Sequence, residues 1–182
     1  MVKRFATRLT SKTLTDKLHE MEVVVLSDTH LVGTLDALSD QVLEAVRKAD
    51  VVLHAGDITS RQALVELEAA AKTYAVLGNN DHELVGVLPE SRLLDLGGVS
   101  VALVHDSGAS KGRAARLHRR FPSADLVVFG HSHIPIDEMG DQHQFLFNPG
   151  SATQRRRQPH RTFGRLRLSE GRVQDRRIEV VV

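Results

Sequence analysis

Five short apolar segments each run into a polar cluster that could do chemistry. Val23–Leu26 leads into Ser27-Asp28-Thr29-His30, Val51–Leu53 into His54-Ala55-Gly56-Asp57, and Tyr74–Leu77 into Gly78-Asn79-Asn80-Asp81. Val99–Val104 ends in His105-Asp106, and Leu126–Phe129 in Gly130-His131-Ser132-His133. The 182 residues contain ten histidines and no cysteine, so any metal site must use imidazole, carboxylate or carboxamide donors. That donor set suits Mn²⁺, Fe or Zn²⁺ better than Ca²⁺ or a thiolate site. Asp28 and His30 are two residues apart, so on an extended chain both side chains point the same way and can grip one ion. His131 and His133 do the same if extended, whereas a turn there splays them toward two neighbouring ions.

Taken singly, each cluster has an ordinary reading. Asp-x-His can be a cap or loop pair, Gly-Asp and Gly-Asn-Asn-Asp are good turns, and His-x-His occurs in surface loops. Five such clusters at five strand ends in one small chain are not independent accidents. Together they point to a dinuclear metal site.

The elements that would carry these clusters are legible in the hydropathy pattern. The five segments, with Phe145–Phe147, are short, rich in Val and Leu, and mostly bounded by Gly, Asp or Asn, which predicts buried strands. Leu35, Leu38, Val42, Leu43 and Val46 keep the spacing of one helix face, as do Ala63, Leu64, Leu67 and Ala71. A third helix is expected over 114–121. Strand–helix alternation predicts an α/β chain with a partly parallel sheet. The last third, with Phe145–Phe147, Thr162–Leu168 and Arg172–Val181, reads as antiparallel strands and hairpins. In such sheets the carboxyl ends of strands converge on a ligand crevice, where all five clusters would lie.

Composition bounds the rest. Hydrophobic residues at 41% and charged residues at 26% are ordinary for one soluble domain, and no apolar run reaches the roughly 20 residues of a membrane span. A formal charge of +1 supplies no field to recruit nucleic acid. Residues 1–21 read as an N-terminal extension and 22–182 as one domain. The extension is basic and hydroxyl-rich without the apolar core of a secretory signal, so a cytoplasmic location is expected. A mitochondrial-type presequence fits its composition, although Asp16 and Glu20 argue against one, and Met21 is an alternative translation start.

Asp28-x-His30, Gly56-Asp57, Gly78-Asn79-x-Asp81, His105 and Gly130-His131-x-His133 stand in the order of the calcineurin-like metallophosphoesterases, which this chain resembles. It looks closest to their small bacterial and archaeal phosphodiesterase branch. Asn148-Pro149-Gly150-Ser151-Ala152-Thr153 resembles that branch and its eukaryotic relative, the retromer subunit Vps29. The resemblance runs from about Glu22 to the C-terminus. It implies an αββα sandwich of two mixed β-sheets flanked by helices. It also implies one ion held by Asp28, His30, Asp57 and His133, and a second by Asp57, Asn79, His105 and His131, with Asp57 bridging. The expected cofactors are two divalent ions, Mn²⁺ first, with Fe, Zn²⁺ or Ni²⁺ as alternatives. The expected reaction is hydrolysis of a phosphoric diester by metal-bound hydroxide. Asp57, His131 and Asn80 are the expected catalytic residues, and a small phosphodiester or nucleotide-like molecule is the expected substrate. A homo-oligomer is compatible with this reading, and a nucleic-acid or membrane partner is not expected.

Two departures from the family pattern stand out. Many relatives carry a His where this chain has Asn80, and Asn can donate a hydrogen bond but cannot act as a general acid. Asp106 replaces a Gly that is common after the strand-ending His. His54 is expected to be a satisfied core or supporting group, Asp81 to orient loop backbone, and His82 to lie in a surface loop. His19, His118, His143 and His160 are read as surface residues. Arg155-Arg156-Arg157 with Arg161 could bind phosphates, but reads first as a solvated face. The competing functions are a Vps29-like scaffold without catalysis and a phosphomonoesterase.

Overall fold

Residues 20–182 are described by a computed structural model; His19 and nearly all of the expected extension lie outside them. Val23 and Val25 of the first strand, β1 (Met21–Leu26), are buried on one face, and Val24 and Leu26 on the other. A strand with no polar face must be covered on both sides, and the architecture follows from that requirement. β1 pairs in parallel with β2 (Val51–His54), which pairs in parallel with β3 (Thr73–Ala75). A second sheet is built on β4 (Ser91–Leu96), β5 (Val99–Val104), β6 (Leu126–Val128), β7 (Ile136–Met139) and β8 (Phe145–Asn148). β9 (Thr162–Ser169) then returns to the first sheet, antiparallel to β1 and to β10 (Arg172–Val180). The strand orders are β10-β9-β1-β2-β3 and β4-β5-β6-β8-β7, and both sheets are mixed.

Three apolar layers hold the sandwich. Between the sheets, Val23, Val25, Val51 and Leu53 meet Val101, Leu103, Val128 and Phe147. Outside the first sheet, Val24, Leu26 and Val52 are covered by Val42 and Val46 of α1 (Asp40–Lys48) and by Leu64 and Leu67 of α2 (Arg61–Ala70). Outside the second sheet, Val104, Val127 and Leu146 pack on Leu117 of α3 (Arg113–Arg120). The molecule is thus the expected αββα sandwich, and no helix among the described residues is long and apolar enough to cross a membrane.

Three local expectations are corrected. Leu35 and Leu38 do not belong to the helix of Val42 and Val46. Leu35 lies in a separate 3₁₀ turn, and extended backbone at Leu38 (ψ 138°) and Ser39 (ψ 158°) delays the helix to Asp40. Both leucines nevertheless reach the same core, which is why their spacing looked helical. Phe145–Phe147 is not purely antiparallel: β8 runs parallel to β6 and antiparallel only to β7. β4 and β7 were not anticipated. They are edge strands, with Leu93 and Met139 more than half exposed, so they lack the unbroken apolar run of the central strands.

Candidate metal centre

The polar clusters sit where strands break off into loops with unusual backbone. Asp28, His30, Asp57, His131 and His133 all have φ between 43° and 69°. Left-handed backbone is uncommon outside glycine, although Asp and His tolerate it better than most residues. Here it is held by loop-to-loop hydrogen bonds: Asp28 N donates to Gly56 O and His30 N to Asp57 O, each at 2.9 Å. His131 N donates to the Asp28 carboxylate, at 2.9 Å to Oδ2. The loops also approach too closely for side chains at two glycines. A Cβ on Gly78 would collide with Asp57, and one on Gly130 with Ser27. These close approaches turn five separate loops into one cluster.

One part of that cluster gathers Asp28, His30, Asp57 and His133. His133 Nε2 lies 3.4 Å from Asp28 Oδ1 and 3.3 Å from His30 Nε2. His30 Nε2 is in turn 3.6 Å from Asp57 Oδ2. The other part gathers Asp57, Asn79, His105 and His131. Asn79 Oδ1 is 3.0 Å from His105 Nε2 and 2.8 Å from His131 Nδ1, and the two ring nitrogens are 3.3 Å apart. His105 Nε2 is 3.5 Å from Asp57 Oδ2. The same carboxylate oxygen therefore faces both groups. His131 and His133 serve different groups, as a turn between them predicts and an extended segment does not.

This geometry accommodates cations. Bonds of about 2.0–2.2 Å to a tetrahedral ion separate its ligand atoms by about 3.4 Å, and the spacings here run from 2.8 to 3.6 Å. The tautomers agree. His133 Nδ1 lies 2.9 Å from Gln154 O and His105 Nδ1 lies 2.7 Å from Ala55 O, so each Nδ1 carries the proton as donor. Each ring then aims its Nε2 at a carboxylate oxygen, and in the neutral ring that atom is a lone pair able to bind a cation. A divalent ion between them would take the place of the proton each pair otherwise shares.

Electrostatics distinguish the two carboxylates. Burial pushes the Asp28 carboxyl up and the His133 imidazole down, each toward its neutral state. Burial also opposes charge on Asp57, but hydrogen bonds from His105 and from the backbone and side chain of Asn80 outweigh it and hold Asp57 below the usual carboxylate range. Burial would lower His105 too, and its bond to Asp57 reverses the direction. Asp28 and His133 lie buried, whereas Asn79 and His131 are exposed, so the second group is the open side of the site.

The remaining sequence-predicted residues divide clearly. Asn80 does not reach outward as an isolated donor: its N–H and its Nδ2 bind the two oxygens of Asp57 at 2.8 and 2.7 Å. Asp81 orients backbone, accepting from the N–H groups of Asp57, Gly78 and Thr59 at 2.9, 2.7 and 2.6 Å. His54 is fully buried, 2.9 Å from Thr29 Oγ1, and burial depresses its pKa to about 3. Its Nδ1 has no partner among the described residues. Asp106, His82, His143 and His160 are exposed, as are Arg155, Arg156, Arg157 and Arg161. His118, read as a surface residue, is only partly exposed and its Nδ1 is buried, because it lies on α3 beside the helix's packed side.

Sequence reasoning missed the supports. Ser27 Oγ donates to Asp28 Oδ2 at 2.6 Å, Ser151 Oγ to Asp28 O at 2.7 Å, and Thr153 Oγ1 to Thr29 O at 2.6 Å. Asn148 Nδ2 donates to Gly130 O at 2.9 Å. The run Asn148–Thr153 was visible as a motif, but its work is done across 18 to 124 residues of chain, which no local pattern discloses.

Comparison with known proteins gives the family and the fold. The family model for the calcineurin-like phosphoesterase superfamily domain matches residues 21–171. A probable metallophosphoesterase of Methanothermobacter thermautotrophicus is 36% identical over 136 residues, covering 73% of this chain and 78% of that protein. The crystal structure of wild-type Vps29 of Entamoeba histolytica complexed with Zn²⁺ superposes with a TM-score of 0.70 at 21% identity, covering 88% of this chain and 98% of the other. A structure described as a novel archaeal phosphodiesterase gives 0.66 at 21% identity, covering 88% and 100%.

Proposed function

The chain belongs to the calcineurin-like phosphoesterase superfamily, and from that premise we propose that it is a dinuclear metal-dependent phosphodiesterase acting on small phosphoric diesters. The observation that carries the reading is the position of Asp57 Oδ2, 3.6 Å from His30 Nε2 and 3.5 Å from His105 Nε2. One carboxylate between two sets of imidazoles is the arrangement a bridging ligand needs. Asp28, His30, Asp57 and His133 would hold one divalent ion, and Asp57, Asn79, His105 and His131 the other. Two such ions, Mn²⁺ in our reading, would supply Lewis-acid charge and a water of lowered pKa for in-line displacement at phosphorus.

The residues of the chain do the rest. Asp28 is buried and held by Ser27, which fixes its direction before any ion arrives. Gln154 O and Ala55 O hold the Nδ1–H of His133 and His105, so both Nε2 atoms are aimed inward. Asn80 orients Asp57 through two hydrogen bonds and has no proton to transfer to a leaving group. The exposed His131 lies on the open side, where the substrate would arrive. A site without a fixed general acid suits esters whose leaving group departs without strong assistance, and it offers less to a monoester.

The test is a panel of bis-aryl phosphates and aryl monophosphates assayed with Mn²⁺, Zn²⁺, Ni²⁺ and Fe²⁺. Turnover of diesters above monoesters is expected with at least one ion. No diester turnover with any ion would overturn the proposal. In that event the scaffold reading, to which the Vps29 fold belongs, takes its place.

A further inference from the structure

The open side of the metal centre leads into a groove of about 280 Å³. Asn79 and His105 line it, together with Leu77, Glu90, Asp106 and Arg120. The groove is therefore continuous with two of the residues assigned to the second ion, and its volume suits an ester substituent of a few carbon atoms. Its charge is distinctive. Asp106 follows His105 directly, and its Oδ1 accepts Gly108 N at 2.6 Å, which holds the carboxylate at the groove. Glu90 follows Pro89, whose carbonyl accepts Leu77 N at 2.8 Å, so it is tethered beside the Gly78-Asn79 loop. Arg120 comes from the C-terminal end of α3, where its guanidinium lies over the Phe121 ring at 5.0 Å. Two carboxylates against one guanidinium leave the groove net negative beside a centre that must accept a phosphate.

We propose that this groove receives one ester arm of the substrate and that Asp106 and Glu90 select a cationic arm, so that the preferred substrate class is a phosphodiester of an amino or quaternary-ammonium alcohol. The inference rests on the phosphodiesterase reading and deepens it. The metal centre attracts the phosphate whatever its substituents, so discrimination falls to whatever the substituent meets. An anionic arm meets two like charges within a few ångströms, well inside the screening length at ordinary salt. A cationic arm meets two opposite charges, with Leu77 available to its carbon skeleton. Arg120 opposes this preference, and its removal should strengthen it.

The experiment uses three p-nitrophenyl diesters with the same leaving group, whose other arm is choline, its neutral 3,3-dimethylbutyl isostere, or an anionic carboxypropyl chain. With the Mn²⁺-loaded protein, kcat/KM for the choline diester should exceed that for the isostere by about five- to tenfold, and the carboxypropyl diester should be the poorest. The choline-to-isostere ratio should fall toward one in an Asp106→Asn/Glu90→Gln variant and rise in Arg120→Gln. Calorimetric Kd values for the slowly reacting methyl diesters of choline and dimethylbutanol give the same ratio without turnover. A wild-type ratio near one, or a ratio that the substitutions leave unmoved, would overturn the proposal. If none of the aryl diesters is hydrolysed, the phosphodiesterase reading fails, and the calorimetric ratios still decide the groove.

Discussion

His105 holds Ala55 O with one ring nitrogen at 2.7 Å and faces Asp57 Oδ2 with the other at 3.5 Å. The first contact makes Nδ1 the donor, and the second aims Nε2 at a carboxylate. His133 repeats the pattern with Gln154 O at 2.9 Å and Asp28 Oδ1 at 3.4 Å. Each pair shares a buried space that a proton or a divalent cation can occupy, so metal binding here competes with protons.

Asp81 ties three loop N–H groups to one carboxylate, so Asp81→Asn should disturb the site without touching its donor atoms. The amide would turn an N–H₂ toward at least one backbone donor, leaving that donor unsatisfied at a cost of about 1–3 kcal/mol. Thermal unfolding should show that loss. Mn²⁺ affinity should fall by about 10- to 100-fold, as for other residues that orient ligands. A variant with native affinity would mean that the Gly78–Asp81 turn holds Asp57 and Asn79 without Asp81.

The buried His54 makes a pH-dependent demand on stability. Its folded pKa is about 3 against 6.5 when exposed, so below pH 6.5 the unfolded chain binds a proton that the folded chain does not. Stability should therefore fall as pH drops from 6.5 toward 3, approaching about 1.4 kcal/mol per pH unit from this residue within that window. His54→Gln, which can still bond Thr29, should flatten the slope by one proton when metal-free samples are compared by denaturant titration. An unaltered slope would show that His54 does not stay neutral.

Asn80 separates ester classes. Asn80→Ala removes the side-chain bond to Asp57 Oδ2 and should lower diester turnover by about tenfold or more through misorientation of the bridge. Asn80→His installs a group able to donate a proton, and should raise monoester relative to diester turnover. Parallel assays of the aryl mono- and diesters measure both changes, and equal effects on the two ester classes would deny Asn80 any part in discriminating them.

What the sequence disclosed follows physical lines. Central strands such as β1, β2 and β6 are buried on both faces and so appear as unbroken apolar runs, and the clusters at their ends announced the donor set. Edge strands β4 and β7 carry no such run, and Leu35 and Leu38 imitated a helix because a 3₁₀ turn serves the same core. The Asp28–His30 pair was expected on an extended segment, yet both residues have positive φ, a constraint imposed by neighbouring loops rather than by local propensity. Ser151 and Gln154 were illegible as supports because their partners, Asp28 and His133, are set by the fold. Asn80 illustrates the limit most sharply: its identity marked it as unusual, but its place on Asp57 needed three dimensions.

The central claim is that Asp57 joins two ion positions. It is tested most directly by metal stoichiometry, measured by mass spectrometry and calorimetry on dialysed wild-type protein and on Asp57→Asn. The account predicts two Mn²⁺ per wild-type chain, with at least one lost or weakened by more than about 100-fold in the variant while its fold persists. A wild-type chain that binds at most one ion, or an Asp57→Asn chain that retains both at native affinity, would contradict it.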